Sequence, residues 1–146
     1  MRRVQRDSTK ETFIQEMCDS KTGYFSEIWR LLLFAALLGR AKGRREPLKV
    51  VPKETIRQEV FSNSPLWPGL IHLIGVTESK DADCLRSCNW DNSLRLFEEY
   101  ANGGLSILAE TLDVRSIHIT SLVEYLVEET QANVVSNNDD ISSVRI

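Results

Sequence analysis

A run of basic residues is the first feature of the sequence whose side chains could do chemistry. It follows a nearly apolar segment, Ile28–Leu38, in which Arg30 is the one polar side chain. Lysine and arginine neutralise phosphates, which gives an affinity that depends on salt and not on base sequence. We therefore predict contacts with the backbone of duplex DNA. The predicted DNA-binding residues are Arg40, Lys42, Arg44, Arg45, Lys49, Lys53 and Arg57.

The distribution of charge along the chain leaves a second interpretation of this run open. Residues 1–57 contain 13 basic and 7 acidic residues, a net charge of +6, whereas residues 58–146 contain 5 and 14, a net charge of −9. Such an asymmetry indicates an acidic partner for one half and a basic partner for the other, or two halves that attract each other. Basic side chains that converge on one exposed face would favour DNA. Ion pairs to residues after Gln58 would favour a protein adaptor.

Cysteine and histidine side chains offer a possible metal site. Cys84 and Cys88 are spaced for one helix face and could bind zinc together with His72 and His118. However, the usual C-x-x-C spacing is absent and both histidines lie within apolar runs, so we interpret all four as core or half-buried residues. We expect no metal and no cofactor. With Cys18 the cysteines number three, and without an export signal we expect reduced thiols and a cytoplasmic location.

Two adjacent carboxylates, Glu98 and Glu99, are the remaining candidates for chemistry. Neighbouring residues of a helix point about 100° apart, which makes them a poor bidentate pair. A buried Arg30 would need a carboxylate, so we predict a structural ion pair between Arg30 and Glu98 or Glu99. No Ser/His/Asp or Cys/His nucleophile set stands out, and we expect the chain not to be an enzyme. A metal-dependent nuclease subunit that uses Glu98 or Glu99 is a minor alternative.

Helical periodicity predicts the elements that position these residues. A capping box at Ser8–Glu11 begins the first helix, and the central helix spans about Tyr24 to Leu38 and ends at Gly39. The Gly103-Gly104 pair is predicted to interrupt a later helix. The last helix has apolar residues at i, i+3, i+4, i+7 and i+8: Ile119, Leu122, Val123, Leu126 and Val127. We predict an all-α, compact single-domain bundle of about six or seven helices around a buried central helix.

The length of 146 residues indicates one domain. We predict a helical domain over residues 1–130 and a flexible, disordered C-terminal tail over residues 131–146, where the helical period is lost. The longest apolar run is much shorter than the roughly 18 residues that a membrane span needs, so no membrane association is expected.

Four segments carry a resemblance to a known family, in the same order along the chain. They are IWRLLLFAALLG (28–39), IRQEVF (56–61), IHLIGVTESKD (71–81) and, most specifically, LFEEYANGGLSIL (96–108). Over about residues 23–112 the chain resembles the small accessory proteins encoded beside DNA phosphorothioation genes, the Dnd-system-associated proteins. A weaker likeness, to the small tetrameric DNA-binding Dnd subunit, covers about residues 22–38.

The resemblance implies a prokaryotic anti-phage role. Dnd systems replace a non-bridging phosphate oxygen of DNA with sulfur, and companion proteins restrict unmodified DNA. The family supplies no catalytic residues to carry over. We therefore expect an accessory subunit that contacts DNA through the basic run and docks on other subunits of the defence system. The alternative is a pure protein–protein adaptor or an oligomeric scaffold with no DNA contact.

Overall fold

The computed structural model describes residues 2–21, 23–50, 55–112 and 119–142, with side chains from 122 to 134 in the last helix. The protein is all-α, as predicted. The six α-helices of the described residues are α1 (Glu11–Met17), α2 (Ile28–Ala41), α3 (Gln58–Phe61), α4 (Gly69–Ser79), α5 (Trp90–Thr111) and α6 (Ile119–Ser142). Short 3₁₀ turns precede α1 and connect α4 to α5.

The centre of the fold is the interface between α2 and α5, which is the largest between any two described helices. Leu31, Leu32 and Ala35 of α2 are completely or almost completely buried, as are Phe97 and Leu105 of α5. Burying apolar area of this kind is the main favourable contribution to folding. Helices α1 and α4 add further buried residues, including Ile14, Met17, Ile71 and Ile74. The predicted central helix is therefore central to the core.

One narrow stripe of α2 still faces solvent. Arg30, Leu37 and Ala41 are exposed. Residues that are four or seven positions apart lie on the same side of a helix, so these three form one stripe. The burial of Arg30, on which its predicted ion pair with Glu98 or Glu99 depended, is therefore not found.

Glycines explain how closely α2 and α5 approach each other. Gly39 does not end α2, which continues to Ala41, and Gly103 and Gly104 do not interrupt α5. A Cβ atom added at Gly39 would overlap the Tyr100 carbonyl, and one added at Gly104 would overlap the Ala35 carbonyl. Both predicted helix boundaries were wrong, because these glycines serve helix packing and not chain termination.

The N-terminal segment is tied to the bundle by backbone hydrogen bonds. Val4 and Ile56 form an isolated antiparallel bridge, and the Ser8 N–H donates to the Val50 carbonyl over 2.9 Å. The predicted capping box does not form at Ser8. Instead Asp7 accepts from the Thr9 N–H, and Glu11 pairs with Arg6.

The predicted domain boundaries, 1–130 and 131–146, stay predictions. The helical backbone of α6 continues through Ser142, and residues 143–146 lie outside the described part of the chain. In the part that is described, no helix combines the length and the apolar character that a membrane crossing requires.

Candidate interaction surfaces

The loop that follows α2 carries most of the predicted DNA-binding residues, and α5 holds its backbone in place. The Glu46 N–H donates to the Glu99 carbonyl over 3.1 Å. The Asn102 amide donates to the carbonyls of Glu46 and Pro47, each over 3.2 Å. A Cβ atom at Gly103 would overlap the Arg44 carbonyl. The FEEYANGGL string therefore has a physical role, since it forms the surface on which α2 and this loop rest.

Four of the seven predicted DNA-binding side chains form ion pairs with carboxylates. Arg40 lies 3.9 Å from Glu78, and Arg45 lies 3.3 Å from Glu78 and 3.2 Å from Glu99. Arg44 binds both oxygens of Glu110 at 2.7 Å, and Lys42 pairs with Glu129. All of these carboxylates follow Gln58 in the sequence, which is the arrangement that favours the adaptor.

The other three predicted residues differ in their surroundings. Lys49 and Arg57 are exposed and form no ion pair with another described residue. Lys53 lies outside the described residues. The seven cations therefore do not form one free basic face.

Glu46 lies at the centre of a network of hydrogen bonds beneath this loop. Its carboxylate accepts from Ser106 (2.7 Å), from Lys10 (3.1 Å) and from Arg44 (2.7 Å). Burial alone would raise its pKa, but the hydrogen bonds from these three residues hold it at about 2. Glu46 is therefore ionised at any physiological pH and joins α5, the N-terminal segment and the loop.

The predicted ion pair between Arg30 and Glu98 or Glu99 does not form. Arg30 instead pairs with Glu27 at 3.2 Å and lies over the Trp29 ring. Glu98 is buried and accepts from Arg2 and from the Gln5 N–H, each over 2.8 Å. Burial raises the pKa of Glu98, while Gln5 and Arg2 oppose the rise.

The candidate zinc ligands do not form a described metal cluster. Cys84 is half-buried and Cys88 is exposed, while His118 lies outside the described residues. Within the described ranges, no group of three or more His, Cys, Asp and Glu side chains is close enough to hold a metal ion.

Sequence reasoning missed a second group of basic residues. Arg2 and Arg3 lie beside Arg57 and line a cleft of about 360 Å³ with it. The consecutive arginines at positions 2 and 3 were the available signal. The sequence alone could not connect Arg2 and Arg3 to Arg57, because the backbone bridge between Val4 and Ile56 is what brings the two segments together.

The apolar face of α6 is only partly covered by the rest of the chain. Leu122 and Tyr125 are buried, but Val123 is 51% exposed, Leu126 38% and Val127 48%. The three exposed residues line an open cleft of about 270 Å³. The periodicity correctly predicted a helix here, but most of its apolar residues face outward.

A family model matches residues 3–144 of the chain and is described as DNA sulphur modification system-associated protein 4. The chain belongs to this family. The predicted resemblance to a Dnd-associated accessory protein is thereby confirmed, and the match extends into both ends of the chain. Searches among curated proteins and among solved structures gave no significant match.

Membership of the family associates the chain with a DNA sulphur modification system. A role beside the other components of that system agrees with the accessory function predicted from the sequence.

Proposed function

We propose that the chain is a non-enzymatic accessory subunit that docks on another protein of its DNA sulphur modification system, as part of an anti-phage defence. The observation that carries this proposal is the exposed apolar face of α6. Neighbouring exposed apolar side chains, especially when polar residues surround them, are typical of protein–protein interaction sites. Val123, Leu126 and Val127 would supply the apolar contacts.

The charge of α6 indicates the chemistry of the partner. The helix contains five acidic residues and no lysine or arginine. Glu124 and Glu128 are exposed beside the apolar residues. A partner groove with an apolar floor and a basic rim would complement this helix. A second copy of the same helix would instead bring like charges together.

The ion pairs of the basic loop support the same proposal. DNA contact by Arg40, Lys42, Arg44 and Arg45 would compete with Glu78, Glu99, Glu110 and Glu129, which already neutralise these cations. We infer that the loop mainly stabilises the fold and holds α6 beside the bundle.

Binding to purified subunits of the same system tests the proposal. A Val123→Ser/Val127→Ser double variant removes apolar contact area that is worth about 1 kcal/mol or more per side chain when fully buried. We expect its affinity for the partner subunit to fall at least about tenfold. The matched control is Leu37→Ser/Leu73→Ser, which changes two exposed residues on α2 and α4 and should leave the affinity unchanged. Equal affinity of the wild type and the α6 variant would exclude α6 as the docking face.

Duplex DNA contact by the basic run is the second candidate function. It is favoured by the exposure of Lys49 and Arg57, which have no ion pair among the described residues. Affinity for a duplex should then fall steeply between low and moderate salt and should weaken in a Lys49→Gln variant. Fluorescence polarisation that detects no duplex binding at low salt would exclude this candidate and leave the adaptor.

A further inference from the structure

Two clefts beside α3 share a wall and differ in chemistry. The first is the basic cleft, which is lined by Arg2, Arg3 and Arg57. The second is the aromatic cleft, of about 580 Å³, which is lined by Trp67, Pro68, His72, Leu85 and Trp90 among others. Gln58 and Glu59 line both of them. The volume of the aromatic cleft falls within the range of about 300–1,000 Å³ that small-molecule sites occupy.

The basic cleft has positive charge that no described carboxylate neutralises. Arg2 is paired with Glu98 at 2.8 Å, but Arg3 forms no ion pair with a described residue and donates to the Thr55 hydroxyl over 3.3 Å. Arg57 forms no ion pair with a described residue. Glu59 is the one carboxylate among the described lining residues. A phosphate could accept hydrogen bonds from Arg3 and Arg57 without breaking an existing ion pair.

The aromatic cleft offers an apolar lining that includes two half-buried tryptophans, Trp67 and Trp90, to a planar group. Trp67 and Trp90 meet edge to face with centroids 6.2 Å apart, and His72 lies 5.2 Å from Trp90. Leu85, at one side, is 49% exposed. The His72 Nδ1 is buried and finds no hydrogen-bond partner among the described residues. Aromatic side chains of this kind stack with nucleobases without demanding a particular base.

One buried side chain fixes the two clefts relative to each other. Gln58 is 5% exposed. Its amide donates to the Arg2 carbonyl over 2.5 Å, and its side-chain oxygen accepts from the Trp90 indole over 3.0 Å. The arginines and the aromatic wall are therefore held at a set separation before any ligand binds, which lowers the entropic cost of binding.

We propose that the joined clefts bind a nucleotide, with its base against Trp67 and Trp90 and its phosphate at Arg3 and Arg57. The ligand is either a free nucleotide or one nucleotide of a single strand, since both present a base joined to a phosphate. An intact duplex does not fit, because its bases are stacked inside the helix. This site is separate from α6 and shares only Arg57 with the loop between α2 and α3, so its test is independent of the docking proposal.

Fluorescence polarisation with a labelled single-stranded oligonucleotide at low salt tests the site in the full chain. We expect binding that unlabelled single strand displaces, and that an intact duplex of the same sequence displaces far less. Displacement by dAMP but not by deoxyadenosine would show that the phosphate contributes. If dAMP binds when added directly and the oligonucleotide does not, the ligand is a free nucleotide.

Two substitutions separate the parts of the site. Arg57→Gln removes an exposed charge and should weaken binding about tenfold and reduce the salt slope by about one. Its control is Arg30→Gln, which makes the same change on α2, away from both clefts, and should have no effect. Leu85→Glu places a carboxylate in the aromatic cleft and should weaken binding about tenfold or more. Its control is Leu73→Glu, at a residue that is 59% exposed and does not line the cleft.

Four results would overturn the proposal. The first is that neither the oligonucleotide nor dAMP binds. The second is that the duplex binds as tightly as the single strand. The third is that Arg57→Gln and Leu85→Glu both bind like the wild type. The fourth is that each control variant loses as much affinity as its partner. Unfolding does not confuse the outcome, because both substituted side chains are exposed and circular dichroism reports the fold directly.

Discussion

Individual glycines set the separation of the two central helices. At Gly104, an added methyl group would overlap the backbone of Ala35, and a backbone atom cannot rotate away as the end of a flexible side chain can. Overpacking of this kind usually costs about 1–3 kcal/mol and sometimes more. The same reasoning applies to Gly39, which faces the Tyr100 carbonyl.

We therefore predict that Gly104→Ala lowers the free energy of unfolding by at least about 1–3 kcal/mol. Urea denaturation followed by circular dichroism measures the change. The control is Gly69→Ala at the start of α4, where an added Cβ meets no atom within 4 Å and no loss is expected. If the two variants unfold at the same urea concentration, the close approach of α2 and α5 does not exist in solution.

The ionised state of Glu46 links stability to acid pH. Its pKa in the folded chain is about 2, below the ordinary value of 4.5. A carboxyl group with a lowered pKa stabilises the fold fully above its unfolded pKa, and this contribution is lost as pH falls toward the folded pKa. The relevant window is therefore about pH 4.5 down to about pH 2.

Glu46→Gln should make the chain less stable at neutral pH and should flatten the loss of stability within this window. Thermal unfolding between pH 5 and pH 2 measures how steeply the stability falls with pH, and a melt at pH 7 measures the loss at neutral pH. Glu59→Gln, which removes an exposed carboxylate, is the control and should keep the pH dependence of the wild type. An unchanged acid profile in Glu46→Gln would show that other carboxylates dominate acid unfolding.

At the scale of elements, α6 has few described contacts with the bundle. Of its described side chains, Leu122 and Tyr125 are buried, and Glu129 forms an ion pair with Lys42. Lys42 is 40% exposed, and exposed ion pairs contribute only about 0.2–1 kcal/mol. A charge change at this point should therefore affect α6 and leave the core intact.

Lys42→Glu places two like charges together and should increase hydrogen exchange or proteolysis in α6 while α2 and α5 stay protected. The charge swap Lys42→Glu/Glu129→Lys should restore the protection. Lys49→Glu makes the same change in the loop at an exposed residue that has no ion pair within the described part of the chain, and it should have no effect on α6. If the charge swap does not restore protection, the ion pair between Lys42 and Glu129 does not anchor α6.

At the scale of the whole molecule, the charge asymmetry of the sequence is largely used within the fold. Cations from the first 57 residues pair with carboxylates of α4, α5 and α6. Among the charged surfaces of the described residues, the acidic, partly apolar face of α6 and the arginines of the basic cleft are available to partners. They suit different ligands, which agrees with an accessory protein that joins two components.

The acidic face of α6 also predicts that the chain alone is a monomer, since two such helices would repel each other. Light scattering after size exclusion should give the monomer mass at low and at moderate salt. A dimer that disappears in the Val123→Ser/Val127→Ser variant would assign this face to self-association and would contradict the docking proposal.

Local patterns predicted the fold class and much of the core. The period of 3.6 residues predicted α6, and the apolar run Ile28–Leu38 showed that α2 is central, because burial on a helix follows from which residues share its face. The FEEYANGGL string, which carries the family resemblance, also has a role in packing. Its small, amide and aromatic side chains form the contact surface between α5, α2 and the loop.

Only the tertiary structure decided which partner each charge has and which apolar faces are covered. Arg30 pairs with Glu27 three residues away, whereas Glu98 pairs with Arg2, 96 residues away. Helical periodicity predicts that α6 is amphipathic, but it does not say whether the apolar side meets this chain or another protein. By itself, the sequence determined the helices and the family. The long-range arrangement of α2, α5 and the N-terminal segment determined the surfaces, because a charge is neutralised by its neighbours in space.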